Sequence, residues 1–232
     1  MSARRTTNDQ HDETWDQRTE IVFIVDRSGS MCGLEADTIG GFASTLATLQ
    51  ADPGQARVTT VLFDHEYELL HDRVDLAAVA PLTRDDYWVR GSTALLDAIG
   101  RTVDKIVRVQ RSVARKYRAD KVMVVIITDG QENSSRHYAL FQVRDMVRRQ
   151  QEKHGWEFLF LGANMDAIDV ATSVGIRPTH ATNYVPDARG TDLAWGAAAQ
   201  ALGVVRRSPA AAPASIPADW NKIVGSDHAA RS

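Results

Sequence analysis

What this 232-residue chain has little of narrows the field first. It holds a single cysteine, Cys32, so no internal disulfide can form and no thiolate cluster can bind zinc. That usage fits a reducing compartment. No apolar run approaches the roughly 20 residues that span a bilayer, the longest being residues 122–127. Residues 1–20 contain no apolar core and carry three basic against five acidic side chains. They read as a polar, mobile leader rather than a secretory signal. The formal charge of −3 leaves no global basic field for nucleic acid. A cytoplasmic location without membrane contact is the expectation. Familiar catalytic signatures are missing too: no G-x-S-x-G elbow, phosphate loop, G-x-G-x-x-G fingerprint or H-E-x-x-H pair occurs. The seven histidines are scattered and read as surface or packing residues.

What is present is a set of short β-branched runs separated by helical patterns. Residues 21–25 and 122–127 are continuous apolar stretches, as strands buried on both faces require. Residues 58–63 and 67–70 flank Asp64-His65-Glu66 and predict a hairpin. Further strands are expected over 156–161 and near 181–184. Helical spacing marks 34–49, 93–117, 138–151, 166–174 and 192–204. Strands alternating with helices predict an α/β fold: a doubly wound, mainly parallel sheet with one antiparallel edge strand and helices on both faces. The expected organisation is a polar leader over 1–19, one domain over 20–204 and a flexible Pro/Ala-rich tail over 205–232. Trp220 and Ile223-Val224 within that tail are able to dock.

Ligands of doubly wound sheets bind beyond the carboxyl ends of the strands. Two strands end there in a carboxylate, Asp26 and Asp129. Asp26 is followed by hydroxyls at alternate positions, Ser28 and Ser30, and Gly91-Ser92-Thr93 precedes a helix start. Two carboxylates and three hydroxyls, with no sulfur or imidazole, form a donor set for a hard cation, Mg²⁺ or Mn²⁺ rather than Zn²⁺. An ion so weakly neutralised stays electrophilic and accepts one more anionic oxygen from outside.

At these residues the sequence resembles the von Willebrand factor A (vWA) domain family. The family's metal-ion-dependent adhesion site (MIDAS) reads D-x-S-x-S, then a threonine, then an aspartate. Asp26, Ser28 and Ser30 in FIVDRSGSM match the first part, Thr93 in RGSTALLDAIG the second and Asp129 in VVIITDGQEN the third. The resemblance covers about residues 20–204 and is nearest in flavour to small intracellular bacterial members. It implies a protein-binding module whose Mg²⁺ (or Mn²⁺) is completed by an Asp or Glu of a partner protein. Ser28 and Ser30 would be direct ligands. Asp26 and Asp129 would bind directly or through water, and Thr93 would engage or release the ion.

Other readings stand beside this one. Taken alone, D-x-S-x-S is an ordinary turn sequence. The same acidic pocket could serve a metal-dependent phosphohydrolase or nuclease, but Ser28 stands where a dehalogenase-like phosphatase places its second carboxylate. Asp64 and Asp97 are spare acids, and Asp97, one turn beyond Thr93, is expected to support loops. Residues 97–121 hold eight basic against three acidic side chains. That helix could bind nucleic acid, although a solvated outer face is the plainer expectation. Cys32 is expected to be a buried, inert thiol.

Overall fold

In the computed structural model, which describes residues 18–209, 212 and 214–232, the two longest apolar runs lie side by side. Strand β1 (Arg18–Asp26) is flanked in parallel by β2 (Gln55–Phe63) and by β4 (Lys121–Thr128). Strand β3 (Tyr67–Asp75) pairs antiparallel with β2. Strands β5 (Glu157–Gly162) and β6 (Ala181–Asn183) extend the other side in parallel, giving the order β3-β2-β1-β4-β5-β6. The central strands are apolar throughout because both faces are covered. Ile21, Phe23 and Val25 point into one core, and Val22 and Ile24 into the other.

Helices α1 (Glu35–Ala51), α5 (Ala188–Arg207) and α6 (Lys222–Arg231) cover the first face. Helices α2 (Leu95–Ser112), α3 (Leu140–His154) and α4 (Ala167–Ser173) cover the second. On the first face Trp195 packs against Phe23 and Phe42, with ring centroids 6.0 and 5.9 Å away. Gly41 makes room for it, since a Cβ there would lie 2.1 Å from Trp195 Cδ1. The chain leaves β1 toward β2 and later crosses to β4, so the strand order reverses between β1 and β4. Their carboxyl ends therefore border the crevice where such sheets bind ligands.

Several boundaries differ from expectation. The first strand begins at Arg18, whose N–H donates to Asp120 Oδ2 at 2.8 Å, so the core element reaches back into the expected leader. The rest of that leader, 1–17, lies outside the described residues. Helix α2 stops at Ser112 rather than near 117, because the Arg118 guanidinium donates to the Val113 and Arg111 carbonyls and turns the chain toward β4. Helix α5 starts four residues early, on an Asp187 side chain that accepts from Gly190 N–H.

The expected flexible tail is docked over 214–232. Trp220 and Val224 are buried in the first core, and Trp220 Nε1 donates to the Thr179 carbonyl at 2.9 Å. Asn221 Nδ2 donates to the Ala181 carbonyl, and Arg231 pairs with Asp187 and Asp227. Ile216, Trp220 and Val224 are the apolar residues of this segment that find the core. Among the described residues no helix is long and apolar enough to cross a membrane.

Candidate metal site

All five expected site residues meet at the crevice between β1 and β4. Asp26 is the last residue of β1, where the strand's final side chain is fully buried. Its Oδ1 accepts the Ser28 N–H at 2.6 Å, an Asx turn that swings the loop back over the strand end. Its Oδ2 accepts from Thr128 Oγ1 at 2.5 Å, which ties the ends of β1 and β4 together. Ser28 Oγ lies 2.9 Å from Ser30 Oγ and accepts from Thr93 Oγ1 at 2.9 Å. Three hydroxyls from two loops thus form one cluster.

Gly130 forms the opposing wall. A Cβ at that position would sit 2.5 Å from Thr93 Oγ1, 2.7 Å from Ser30 Oγ and 3.2 Å from Ser28 Oγ. The space beside Gly130 is a cradle faced by all three hydroxyls. Asp129 adjoins it, and neither of its buried carboxylate oxygens meets hydrogen-bond geometry with any partner among the described residues. Gly29 and Ser30 are exposed, so the cluster opens to solvent on that side.

The electrostatics single out these two acids. Burial pushes Asp26 up to about 6, with bonds from Thr128 and Ser28 opposing and the Asp129 charge adding to the rise. Burial likewise raises Asp129, against partial relief from the nearby Ser30 hydroxyl and Asn164. Neither has a cationic partner among the described residues. Asp64, equally buried, shows the contrast: Arg90 Nε lies 2.7 Å and Arg27 Nε 3.3 Å from its Oδ2. Asp64 is neutralised from within, whereas Asp26 and Asp129 are not. Two buried carboxylates without a countercharge beside a cradle of hydroxyls fit a hard divalent cation, with the remaining ligands from water or a partner.

The supports of this cluster were not singled out from sequence. Thr93 N–H donates to Asn133 Oδ1, and the Thr93 carbonyl accepts from the Asn133 and Ser134 N–H groups. Glu132 accepts from the Leu96, Ser134 and Ser135 N–H groups, which caps α2 from a distant loop. Tyr87 OH donates to the Asp26 carbonyl. Arg27, the residue between Asp26 and Ser28, turns away from the cradle, and Trp88 lies against both Arg27 and Arg90 at 5.2 and 5.8 Å. Only Thr128, inside the Thr-Asp-Gly triplet, carried a local signal.

Other expectations resolve plainly. Asp97 accepts the N–H groups of Arg136, His137 and Tyr138, so it supports a loop as expected. Cys32 is exposed rather than buried, because the turn after Ser30 lifts it off the core. The basic run over 97–121 is partly spent within the fold: in α2 Lys105 pairs with Asp72 and Arg108 with Asp104, and Lys121 of β4 is buried against the end of α5. Among the described residues no three His, Cys, Asp or Glu side chains gather as a metal cluster, so hydroxyls are an essential part of this donor set.

Comparison with known proteins agrees with the fold. A family model described as the von Willebrand factor type A domain matches residues 20–189. Proximal thread matrix protein 1 from the mussel byssus, with a zinc-occupied MIDAS motif, is 15% identical with a TM-score of 0.55, covering 81% of this chain and 46% of that one. Manganese-loaded TRAP protein of Plasmodium vivax is 14% identical with a TM-score of 0.53, covering 80% and 72%. A von Willebrand factor type A protein from Catenulispora acidiphila is 12% identical with a TM-score of 0.52, covering 82% and 43%. The chain spans less than half the length of the byssal protein. No curated protein sequence matches it.

Proposed function

The chain belongs to the von Willebrand factor type A domain family, in which some members carry a MIDAS and mediate protein–protein binding, and on that premise we propose that it is a divalent-cation-dependent protein-binding module. Ser28, Ser30 and Thr93 offer hydroxyl oxygens, and Asp26 and Asp129 offer carboxylates, to Mg²⁺ or Mn²⁺. The bound cation supplies Lewis acidity toward an Asp or Glu side chain of the partner protein, which approaches over exposed Ser30. Asp26 orients Ser28 through its N–H and fixes the spacing of β1 and β4 through Thr128. The loops holding Thr93 are anchored by Asn133 and Glu132, so the third hydroxyl is presented from a preorganised start of α2. A cytoplasmic setting goes with this reading.

The observation that carries it is the pair of buried, uncompensated carboxylates beside the Gly130 cradle. Calorimetry with MgCl₂ and MnCl₂ tests it directly. Binding by the wild type at or below millimolar Kd, lost in Asp26→Ala, is the expected result. Absence of binding by either ion removes the reading. A pull-down in Mg²⁺ and in EDTA, compared with Asp26→Ala, then isolates proteins whose retention needs both the metal and Asp26.

A further inference from the structure

A groove of about 1080 Å³ opens beside the metal-site loops. Ser92, the neighbour of Thr93, lines it, together with His65 and Tyr67 of the hairpin, Arg101 of α2, and Arg136 and His137. Its charges are unevenly spent. Glu66 pairs with Arg90, Asp104 with Arg108, and both Asp97 oxygens accept backbone N–H groups. Every acid in the groove is therefore engaged. Of the cations, Lys105 is held by Asp72. Arg101 and Arg136 are exposed and have no carboxylate partner among the described residues.

We propose that this groove receives an extended acidic polypeptide segment of the partner, continuous with the carboxylate that completes the metal site. The inference rests on the metal-site reading and adds to it the chemistry of the partner. Ser92 and Thr93 are consecutive, so a chain crossing the metal site runs directly into the groove. In an extended segment alternate side chains face one way. A second and third Asp or Glu thus reach Arg136 and Arg101, whose planar guanidinium groups take carboxylates through paired N–H donors. A peptide is favoured over a nucleic acid because Arg101 already covers the Tyr67 ring at 4.3 Å and takes that face from a stacking base.

The test uses the full chain and a fluorescein-labelled (Glu-Gly)₆ peptide, followed by anisotropy in 1 mM MnCl₂ or EDTA. The expected result is Mn²⁺-dependent binding that weakens at least tenfold in R101E/R136E and less in R101Q/R136Q. Binding should also weaken between 50 and 500 mM NaCl. Calorimetry of Mn²⁺ alone separates the two levels of the argument. If the wild type binds no Mn²⁺, the metal-site reading fails. If Mn²⁺ binds equally to wild type and R101E/R136E, but the peptide binds both alike or neither, the groove assignment is overturned and the metal site stands. Tighter Arg101- and Arg136-dependent binding of a labelled dT₁₂ oligonucleotide than of the peptide overturns it in favour of nucleic acid.

Discussion

Replacing Gly130 with alanine puts one methyl group into the cradle that the metal reading requires to be open. Gly130 is not among the glycines with positive φ, so alanine meets no backbone obstacle. The new Cβ would stand 2.5, 2.7 and 3.2 Å from the hydroxyls of Thr93, Ser30 and Ser28. Ordinary carbon contacts need about 3.5 Å, so two hydroxyls must retreat by up to roughly 1 Å. Mg²⁺ and similar ions hold oxygens within a narrow range near 2.1 Å, and displaced donors no longer converge. Affinity for Mn²⁺ should fall at least tenfold, about 1.4 kcal/mol. Overpacking alone should cost about 1–3 kcal/mol of stability, toward the lower end because Ser30 can yield into solvent. The cleanest readout is the Mn²⁺-induced gain in stability. At a concentration 100 times the wild-type Kd that gain is about 2.7 kcal/mol, and a tenfold weaker site retains only about 1.4 kcal/mol. Calorimetry and thermal melts with and without Mn²⁺ measure both. A G130A protein that binds Mn²⁺ like the wild type refutes the placement of the ion beside Gly130.

Asp129→Asn should remove Mn²⁺ binding yet raise metal-free stability by about 1 kcal/mol, because a buried charge without a cation gives way to a neutral amide; a lower metal-free melting temperature than wild type contradicts this. Arg206→Ala should cost about 2–4 kcal/mol in urea unfolding, since its guanidinium reaches the Leu49 and Gly54 carbonyls and closes the end of α1 from α5. His180, buried beside Arg177 and Glu157, is lowered to about 4, by burial first and the Arg177 charge second. A depressed base contributes stability fully above its unfolded value near 6.5 and loses it as pH falls toward 4. Because solvent screens part of the effect, about 1–2 kcal/mol should disappear over that window. Nearby Glu157, raised by burial, acts in the opposite sense at the acid end. His180→Gln should therefore flatten the pH profile measured by denaturant melts, and an unchanged acid slope speaks against a buried neutral imidazole.

The sheet and the five clustered residues were readable because their signals are local. The two central strands are uninterrupted apolar runs, one stopping at Asp26 and the other at Thr128-Asp129, and D-x-S-x-S is contiguous. The architecture that holds them is not local. Asp64 is neutralised by Arg27 and Arg90, 37 and 26 residues away in sequence. Asn133 fixes Thr93 across 40 residues. Nothing in the spacing of those residues distinguishes a partner from a solvated charge. Helix ends failed for a related reason: Asp187 and Asp192 are equally plausible caps by type, and only the fold of the preceding loop chooses Asp187. For the last segment, Pro/Ala composition argues for a flexible tail, while docking depends on a few apolar side chains, of which the sequence marks Trp220 and Val224 as able to dock.

That docked segment also bears on the margin of the sheet. Strand β6 is three residues long and ends the sheet, with no strand paired beyond it among the described residues. Trp220 and Asn221 place side-chain donors on the Thr179 and Ala181 carbonyls along that margin, and α6 lies over it. An open strand margin is a template for adding another chain. The C-terminal segment thus works as a fitted cover, and a chain shortened before Ala214 should keep its hydroxyl cluster while exposing a self-adhesive edge. Association, visible as growing particle size, is the expected outcome, together with the stability lost when Trp220 and Val224 leave the core.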